Sequence, residues 1–280
     1  MTPKICIISG ATDGIGKVTA EGLVEKGYTL GLVGRNEEKG KGVVKELSGK
    51  SGHGEIHYLN ADLSLLSEVK KVAGEIKDKF SVIDVLINNV GAAFFEKIFT
   101  SEGFESTFAL NHLSYFLLTK LLLDKMNQHG ARIVNVASDA HIGSSLDFND
   151  LQGVNPYNGY PNYQRSKLMN ILFSYELADR LKDKPITVNC LHPGFVASKF
   201  GHNNSGMKVV FLKIAQKLKA ITMEEGAETS IYLSSSPEVE ETSGKYFYKK
   251  MEKESSPESR DKNIRKKLWD VTEELLVGFS

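Results

Sequence analysis

Residues 5–16 have the sequence Ile-Cys-Ile-Ile-Ser-Gly-Ala-Thr-Asp-Gly-Ile-Gly, an apolar run that leads directly into a glycine-rich turn. The run is typical of a buried strand, and a helical pattern follows it. Glycines in such a turn let backbone N–H groups approach an anion at the positive end of the helix. This strand–turn–helix context predicts a site for the pyrophosphate of a dinucleotide. The residues expected to line it are Gly10, Asp13, Gly14, Ile15 and Gly16.

The composition is that of an ordinary globular chain. Its 280 residues are 41% hydrophobic and 25% charged, so we expect a single domain that spans residues 1–280. Acidic and basic residues balance at 35 each, which gives no indication of a nucleic-acid partner or an anionic membrane. Cys6 and Cys190 lie in apolar runs, which favours buried thiols over a disulfide or a metal pair.

Neither a targeting signal nor a membrane span is predicted. The segment Met1–Lys4 leads straight into the first predicted strand and leaves no room for a signal peptide. No stretch approaches the roughly 20 apolar residues that cross a bilayer. We therefore expect a cytoplasmic protein without a transmembrane segment.

Short apolar runs alternate with helical patterns along the chain, which is typical of repeated βα units. The pattern predicts an α/β fold with a Rossmann-type, doubly wound sheet of about seven parallel strands, whose carboxyl ends bind ligands. The predicted strands are Lys4–Ser9, Thr29–Val33, Glu55–Asn60, Ile83–Asn88, Arg132–Val136, Ile186–Leu191 and one near Tyr246–Tyr248. Helical patterns include Ile15–Lys26, Leu66–Lys79 and Tyr163–Leu181.

Two irregular stretches and a late helical pattern interrupt this alternation. Residues 139–160 and 192–206 are rich in glycine, proline and asparagine, and such loops are either substrate walls or lids, or solvated surface insertions. Near residues 257–277 a helix is predicted, with Ile264, Leu268, Val271 and Leu275 on one face. We expect this face to dock on the domain's own core rather than on a subunit or a membrane.

The end of the second predicted strand bears on the choice of cofactor. Arg35 and Asn36 follow this strand, at the place where an NAD-binding chain carries an acidic residue for the ribose 2′-hydroxyl. A guanidinium there suits the 2′-phosphate of NADP instead, so NADP(H) is predicted in preference to NAD(H). The alternative is a solvated loop arginine. Further along, Asp62 could accept from the adenine amino group.

A tyrosine and a lysine are spaced to carry acid–base chemistry. Tyr163 and Lys167 are four positions apart and therefore project from one face of a helix. A nearby ammonium, together with oxidised nicotinamide, would lower the pKa of the phenol and let it exchange a proton with a substrate oxygen. Ser138 follows the fifth predicted strand and could hydrogen-bond a substrate carbonyl as charge develops.

Other polar residues allow more than one interpretation. Asn111 lies inside a predicted helix, where its amide would either bind a water that links Lys167 to solvent or mark a local kink. His112, His141 and His192 lack metal-ligand spacing, so no metal site is predicted.

In these motifs the chain resembles the short-chain dehydrogenase/reductase family over nearly its whole length. The family's cofactor turn corresponds to Ser9–Gly16, its Asp-Leu pair to Asp62-Leu63 and its Asn-Asn-Ala-Gly element to Asn88–Gly91. The resemblance implies the catalytic set Asn111, Ser138, Tyr163 and Lys167. It also implies cofactor contacts from Leu63, Asn89, Gly91, Tyr163, Lys167, Pro193, Gly194, Val196 and Ser198.

Within the family, the chain is most similar to the branch of retinol dehydrogenases and WW-domain oxidoreductases. The shared features are Ser138–His141, Asp147–Leu151, Tyr163–Leu168 and the late Leu268-Trp269. This branch implies an NADP(H)-dependent oxidoreductase for a small-molecule carbonyl or alcohol, which could be lipophilic. The family also suggests a homodimer or homotetramer through the helix of Tyr163, whose stripe Leu168, Ile171, Leu172 and Tyr175 could equally be core. The alternative function is a non-catalytic dinucleotide-binding sensor or scaffold.

Overall fold

The computed structural model describes residues 2–50, 54–196 and 220–279, and the predicted cofactor residue Ser198 lies outside them. A single sheet forms the centre of the fold, with strand order β3-β2-β1-β4-β5-β6-β7-β8. The pairs from β1 to β7 are parallel, so the predicted doubly wound α/β fold is confirmed. The strands are β1 (Ile5–Ser9), β2 (Thr29–Gly34), β3 (Ile56–Asn60), β4 (Val85–Asn88), β5 (Ala131–Val136), β6 (Ile186–Leu191), β7 (Lys245–Tyr248) and β8 (Met251–Glu252).

Helices cover both faces of this sheet, as right-handed βα crossovers require. The described helices are α1 (Gly14–Val24), α2 (Glu37–Ser48), α3 (Leu66–Lys79), α4 (Ser106–Phe108), α5 (Ser114–Leu122), α6 (Gly159–Arg180), α7 (Met223–Ser235), α8 (Pro257–Arg260) and α9 (Lys262–Leu275). A π-helical turn, Ala109–Leu113, joins α4 to α5.

The strand order reverses between β1 and β4. At such a switch point the connections leave to opposite sides, which opens a crevice beyond the carboxyl ends of the strands. Here the crevice brings together the residues after β1 and β4: Asn89 donates its backbone N–H to the Ser9 hydroxyl over 2.9 Å. The topology therefore places the glycine turn beside the loop that follows β4.

The strand count differs from the prediction of about seven parallel strands. β8 adds a two-residue antiparallel strand at the edge, paired with β7 through Tyr248 and Met251. The two turn residues, Lys249 and Lys250, have φ of 49° and 64°, the left-handed conformation that tight hairpin turns need. Two lysines are not the asparagine and glycine that usually announce such a turn, so the sequence carries no signal for this hairpin.

The C-terminal stretch near residues 257–277 forms two helices where the sequence predicts one. The break falls at Asp261, whose carboxylate accepts from the backbone N–H groups of Asn263 and Ile264 over 2.8 and 3.1 Å. An aspartate in this role begins a new helix. The apolar face of α9 packs on the chain itself, with Leu268 1% exposed.

The apolar stripe on α6 is core. Its four side chains are at most 9% exposed, and Leu168 and Leu172 belong to the main hydrophobic cluster. Cys6 and Cys190 are free and fully buried, as expected. Across the described ranges, no helix combines the length and the hydropathy that a bilayer crossing requires.

Candidate active site

The glycine turn after β1 forms a cradle of backbone. Gly10 and Gly14 have φ of +68° and +54°, which L side chains rarely adopt. A Cβ on Gly16 would collide with the Gly10 carbonyl and lie 2.5 Å from Asn89 Nδ2. Asn89 Nδ2 also donates to the carbonyls of Ser9 and Gly10 over 3.0 and 3.1 Å. The turn can hold a pyrophosphate at the start of α1 only because these positions lack side chains.

Asp13 and Ile15 complete the turn. Asp13 begins α1, since its Oδ1 accepts from the Gly14 N–H over 2.9 Å. Its Oδ2 lies 3.3 Å from Lys39 Nζ, so an ion pair joins the turn to α2. Ile15 lies 3.5 Å from a Cβ built on Gly226, which places it against α7. Asp13 is therefore already partnered by a lysine of α2.

Arg35 and Asn36 follow β2 at the same edge of the sheet. Asn36 begins α2 by accepting from the Lys39 N–H over 2.8 Å. Arg35 is exposed, and its side chain forms no hydrogen bond or ion pair with any residue that the structure describes. A guanidinium in this position is available to a phosphate.

The loops after β3 and β4 line the crevice further along. Asp62 accepts from the N–H and the hydroxyl of Ser64 over 3.0 and 2.7 Å, so one of its oxygens is already used inside the protein. The side chain of Leu63 is buried in the core, where only its backbone could face a ligand. Gly91 is exposed, and a Cβ there would lie 3.3 Å from Lys167 Nζ. The loop after β4 therefore passes directly beside the lysine of α6.

Ser138, Tyr163 and Lys167 are brought together at the carboxyl end of β5. The side chains of Ser138 and Tyr163 are hydrogen-bonded to each other. Lys167 Nζ lies 5.8 Å from the centre of the Tyr163 ring and donates to the Val136 carbonyl over 3.0 Å. The phenol, the hydroxyl and the amine thus share one site, with Tyr163 and Lys167 on the same face of α6.

Burial controls the titration of this site in the free protein. It raises the pKa of Tyr163 to about 12, against the lowering by the Ser138 hydrogen bond. Burial also lowers the pKa of Lys167 to about 7. The lowered phenol pKa expected from the sequence needs the charge of an oxidised nicotinamide as well, and it stays a prediction.

Asn111 is fully buried in the π-helical turn between α4 and α5. Its Oδ1 accepts from the Ala92 N–H over 3.0 Å, and its Nδ2 donates to the Ala92 carbonyl and to Ser166 Oγ, each over 2.9 Å. The local distortion that the sequence allowed is therefore present. Such π-turns are frequent at functional sites, and here the turn fixes the loop that carries Gly91. A water bound by Asn111 stays a prediction.

The turn after β6 contains three of the residues for which cofactor contacts are predicted, Pro193, Gly194 and Val196. Gly194 has φ of +93°, and its N–H donates to Nδ1 of His192 over 3.0 Å. Val196 is 6% exposed and forms a parallel bridge with Ile221. Pro193 lies in the same turn and is partly buried.

Two residues for which the sequence predicts no role in the site adjoin it. Asp139 directly follows Ser138, and its Oδ2 lies 3.1 Å from Nε2 of His192, the residue before Pro193. The sequence signal that could have indicated them is their position, because Asp139 follows Ser138 and His192 precedes Pro193. No cluster suited to a metal ion occurs in the described part of the chain.

Large apolar side chains are exposed on the irregular stretches. Ile142 and Tyr160 in residues 139–160 are 55% and 53% exposed, and Phe195 after the Pro193-Gly194 turn is 43% exposed. Within residues 139–160, Tyr157 donates to the Phe94 carbonyl over 2.7 Å, which ties this stretch to the loop after β4.

Comparison with known proteins shows which family the chain is similar to. The sequence profile described as "short chain dehydrogenase" matches residues 4–208. Human retinol dehydrogenase 14 is 39% identical over 297 residues, covering 100% of this chain and 88% of its own. Human retinol dehydrogenase 13 is 35% identical, covering 95% and 82%. The crystal structure of a putative uncharacterized protein from Mycobacterium Paratuberculosis superposes with a TM-score of 0.78 at 28% identity, covering 97% of this chain and 92% of that one.

Proposed function

The chain belongs to the short-chain dehydrogenase family, and on that premise we propose that it is an NADP(H)-dependent oxidoreductase for a lipophilic carbonyl or alcohol. Family members are oxidoreductases that use nicotinamide cofactors. The observation that carries the proposal is the shared site of Ser138, Tyr163 and Lys167, which the loop after β4 connects to the glycine cradle. When bound, the dinucleotide supplies or accepts the hydride.

The protein residues supply geometry and a proton. Ser138 donates a hydrogen bond to the substrate oxygen, and Tyr163 gives or takes the proton on that oxygen. Lys167, already fixed by the Val136 carbonyl, tunes the phenol and holds the ribose hydroxyls next to the nicotinamide. Asn111 keeps the loop after β4 in place. All four side chains are needed for one reaction, and a protein that only bound a dinucleotide would not require them.

The preference for NADP(H) rests on the charge at the end of β2. The exposed guanidinium of Arg35 suits a 2′-phosphate. Lys39, which forms an ion pair with Asp13, is a second cation nearby. The two acidic residues at the start of α2, Glu37 and Glu38, are consistent with the favourable position of acids at a helix N-terminus. Neither lies where an NAD-binding chain places its ribose-binding carboxylate.

A lipophilic substrate is supported by apolar side chains that are exposed on the two stretches predicted to form substrate walls or lids. These are Ile142, Tyr160 and Phe195, which are 55%, 53% and 43% exposed. The relatives named for retinol act, by that name, on a lipophilic alcohol. A cytoplasmic location and a homodimer or homotetramer stay predictions from the sequence.

The direct test follows the absorbance of the reduced nicotinamide while purified protein meets aldehydes, ketones, retinal, steroids and quinones. Each carbonyl is supplied with NADPH and, in parallel, with NADH. Turnover with NADPH that favours the apolar carbonyls is expected. Tight NADPH binding without turnover of any carbonyl would instead support the alternative of a sensor or scaffold.

A further inference from the structure

A carboxylate and an imidazole connect the two loops that flank the reaction centre. Asp139 follows Ser138 at the end of β5, and His192 precedes Pro193 at the end of β6. Asp139 Oδ2 lies 3.1 Å from His192 Nε2, while His192 Nδ1 accepts from the Gly194 N–H over 3.0 Å. An unbroken chain of hydrogen bonds therefore runs from the residue beside Ser138 to the turn beyond Pro193.

The partners on each side assign the protons of the ring. An amide N–H can only donate, so Nδ1 of His192 has to be an unprotonated acceptor. The other nitrogen then carries the proton and donates it to the Asp139 carboxylate. In this arrangement His192 presents an acceptor toward Gly194 and a donor toward Asp139.

The surroundings hold this pair in one arrangement. The His192 ring stacks on Tyr248 with centres 4.3 Å apart and is 7% exposed. Asp139 also accepts from Tyr246 Oη and Lys253 Nζ, each over 2.7 Å. Burial alone would raise the pKa of the Asp139 carboxyl, but these hydrogen bonds outweigh it and hold the pKa well below its usual value. The carboxylate is therefore a charged, fixed anchor.

We propose that Asp139 and His192 are positioning residues that set the Pro193-Gly194 turn relative to Ser138, and so align the nicotinamide with the substrate oxygen. The inference rests on the proposed function, because it assigns the turn to the nicotinamide end of the cofactor. A misplacement of about 1 Å in such a site can lower the rate about 100-fold. The pair acts through Gly194 and Ser138 and does not touch the reacting atoms.

Two substitutions of His192 separate its hydrogen bond to Gly194 from its hydrogen bond to Asp139. His192→Gln places a donor where Nε2 was and removes the acceptor for Gly194. His192→Asn places an oxygen where Nδ1 was and removes the donor for Asp139. Each variant keeps one half of the chain of hydrogen bonds, so each is the control for the other.

The first measurement compares the binding of NADP+ with that of 2′-phospho-ADP-ribose, which lacks the nicotinamide. For His192→Gln we expect about tenfold weaker NADP+ binding, the loss of roughly one hydrogen bond, with 2′-phospho-ADP-ribose unchanged. His192→Asn should bind both ligands like the wild type. Equal weakening of both ligands in His192→Gln, or no weakening of either, would overturn the inference.

The second measurement compares the steady-state kinetics of the wild-type protein with those of variants at Asp139. Asp139→Ala should lower kcat about tenfold or more with the KM of the carbonyl nearly unchanged, and Asp139→Asn should recover much of it, because its oxygen still accepts from His192. Lys253→Met is the matched control, since it removes another partner of Asp139 but leaves the link to Gly194 intact. If Lys253→Met matched Asp139→Ala, Asp139 would be only a structural anchor and the inference would be wrong.

The two measurements separate the inference from the proposed function. A wild type that binds NADP+ but turns over no carbonyl would defeat the proposed function, while the ligand comparison would still decide the role of His192. A wild type that binds neither ligand would defeat both. Should His192→Gln fail to fold, as thermal unfolding would reveal, the kinetic comparison of Asp139→Ala, Asp139→Asn and Lys253→Met decides the inference, with the large loss in kcat expected only for Asp139→Ala.

Discussion

Lys167 Nζ donates to the main-chain carbonyl of Val136 over 3.0 Å, two residues before Ser138 on the same chain segment. This bond ties the face of α6 that carries Tyr163 to the carboxyl end of β5. It explains how a lysine that is 4% exposed is oriented next to Tyr163 without a carboxylate partner among the described residues. The arrangement also leaves the amine in a low-dielectric site, where its neutral form is favoured.

The buried amine makes stability depend on pH. Burial lowers the pKa of Lys167 to about 7 in the folded protein, whereas the unfolded chain titrates near the ordinary value of about 10.4. Between these values the unfolded state binds more protons, so the contribution of Lys167 to the free energy of unfolding rises with pH. Lys167→Met should therefore raise the free energy of unfolding above that of the wild type by more at about pH 6 than at about pH 10. Denaturant unfolding of both proteins checks this, and a difference independent of pH would count against it.

Arg35 should control the choice between the two nicotinamide cofactors. Arg35→Ala removes the cation available to the 2′-phosphate, and hydrogen bonds to charged groups contribute about 1.5–3 kcal/mol. We expect NADPH affinity to fall about 10- to 100-fold while NADH affinity changes little. Titration calorimetry with both cofactors measures this directly. Equal losses for NADPH and NADH would show that Arg35 does not meet the phosphate.

The cradle should not tolerate a methyl group at Gly16. The Cβ of Gly16→Ala would meet the Gly10 carbonyl and Asn89 Nδ2, so we expect NADPH binding at least about tenfold weaker. Gly74→Ala is the control, because Gly74 is an exposed position inside α3 with open space around its Cβ. That change should keep NADPH affinity and raise the free energy of unfolding by up to about 1 kcal/mol. Wild-type affinity in Gly16→Ala would contradict the cradle.

The C-terminal helix should be part of the folding unit. Leu268 is 1% exposed in the core, and Trp269 lies 4.6 Å from Phe116 between ring centres. Leu268→Ala should lower the free energy of unfolding by about 2–5 kcal/mol, whereas Val277→Ala, at a position 76% exposed, should change it by less than about 0.5 kcal/mol. Thermal and denaturant unfolding distinguish the two. Equal small effects would indicate a helix that does not support the core.

Much of the site was predictable because its signals are local. The glycine turn, the spacing of Tyr163 and Lys167, and Ser138 after a strand each lie within a few residues, and parallel strands bring them to one edge. The roles of Asp139 and His192 were not predictable, since their link depends on how two separate loops meet in space. The hairpin at Lys249-Lys250 also lacks a sequence signal, and at Asn111 the sequence allows a local kink without specifying a π-helical turn. Their conformations follow from tertiary contacts such as the bonds of Asn111 to Ala92.

In the proposed reaction Tyr163 transfers the proton during hydride transfer at this site. The most direct test of this step is steady-state NADPH oxidation by Tyr163→Phe with the best carbonyl of the wild type, together with the dissociation constant of NADPH. We predict a loss of about 100- to 10,000-fold in kcat, the usual contribution of a general acid or base, with NADPH affinity unchanged. Turnover equal to that of the wild type would contradict it.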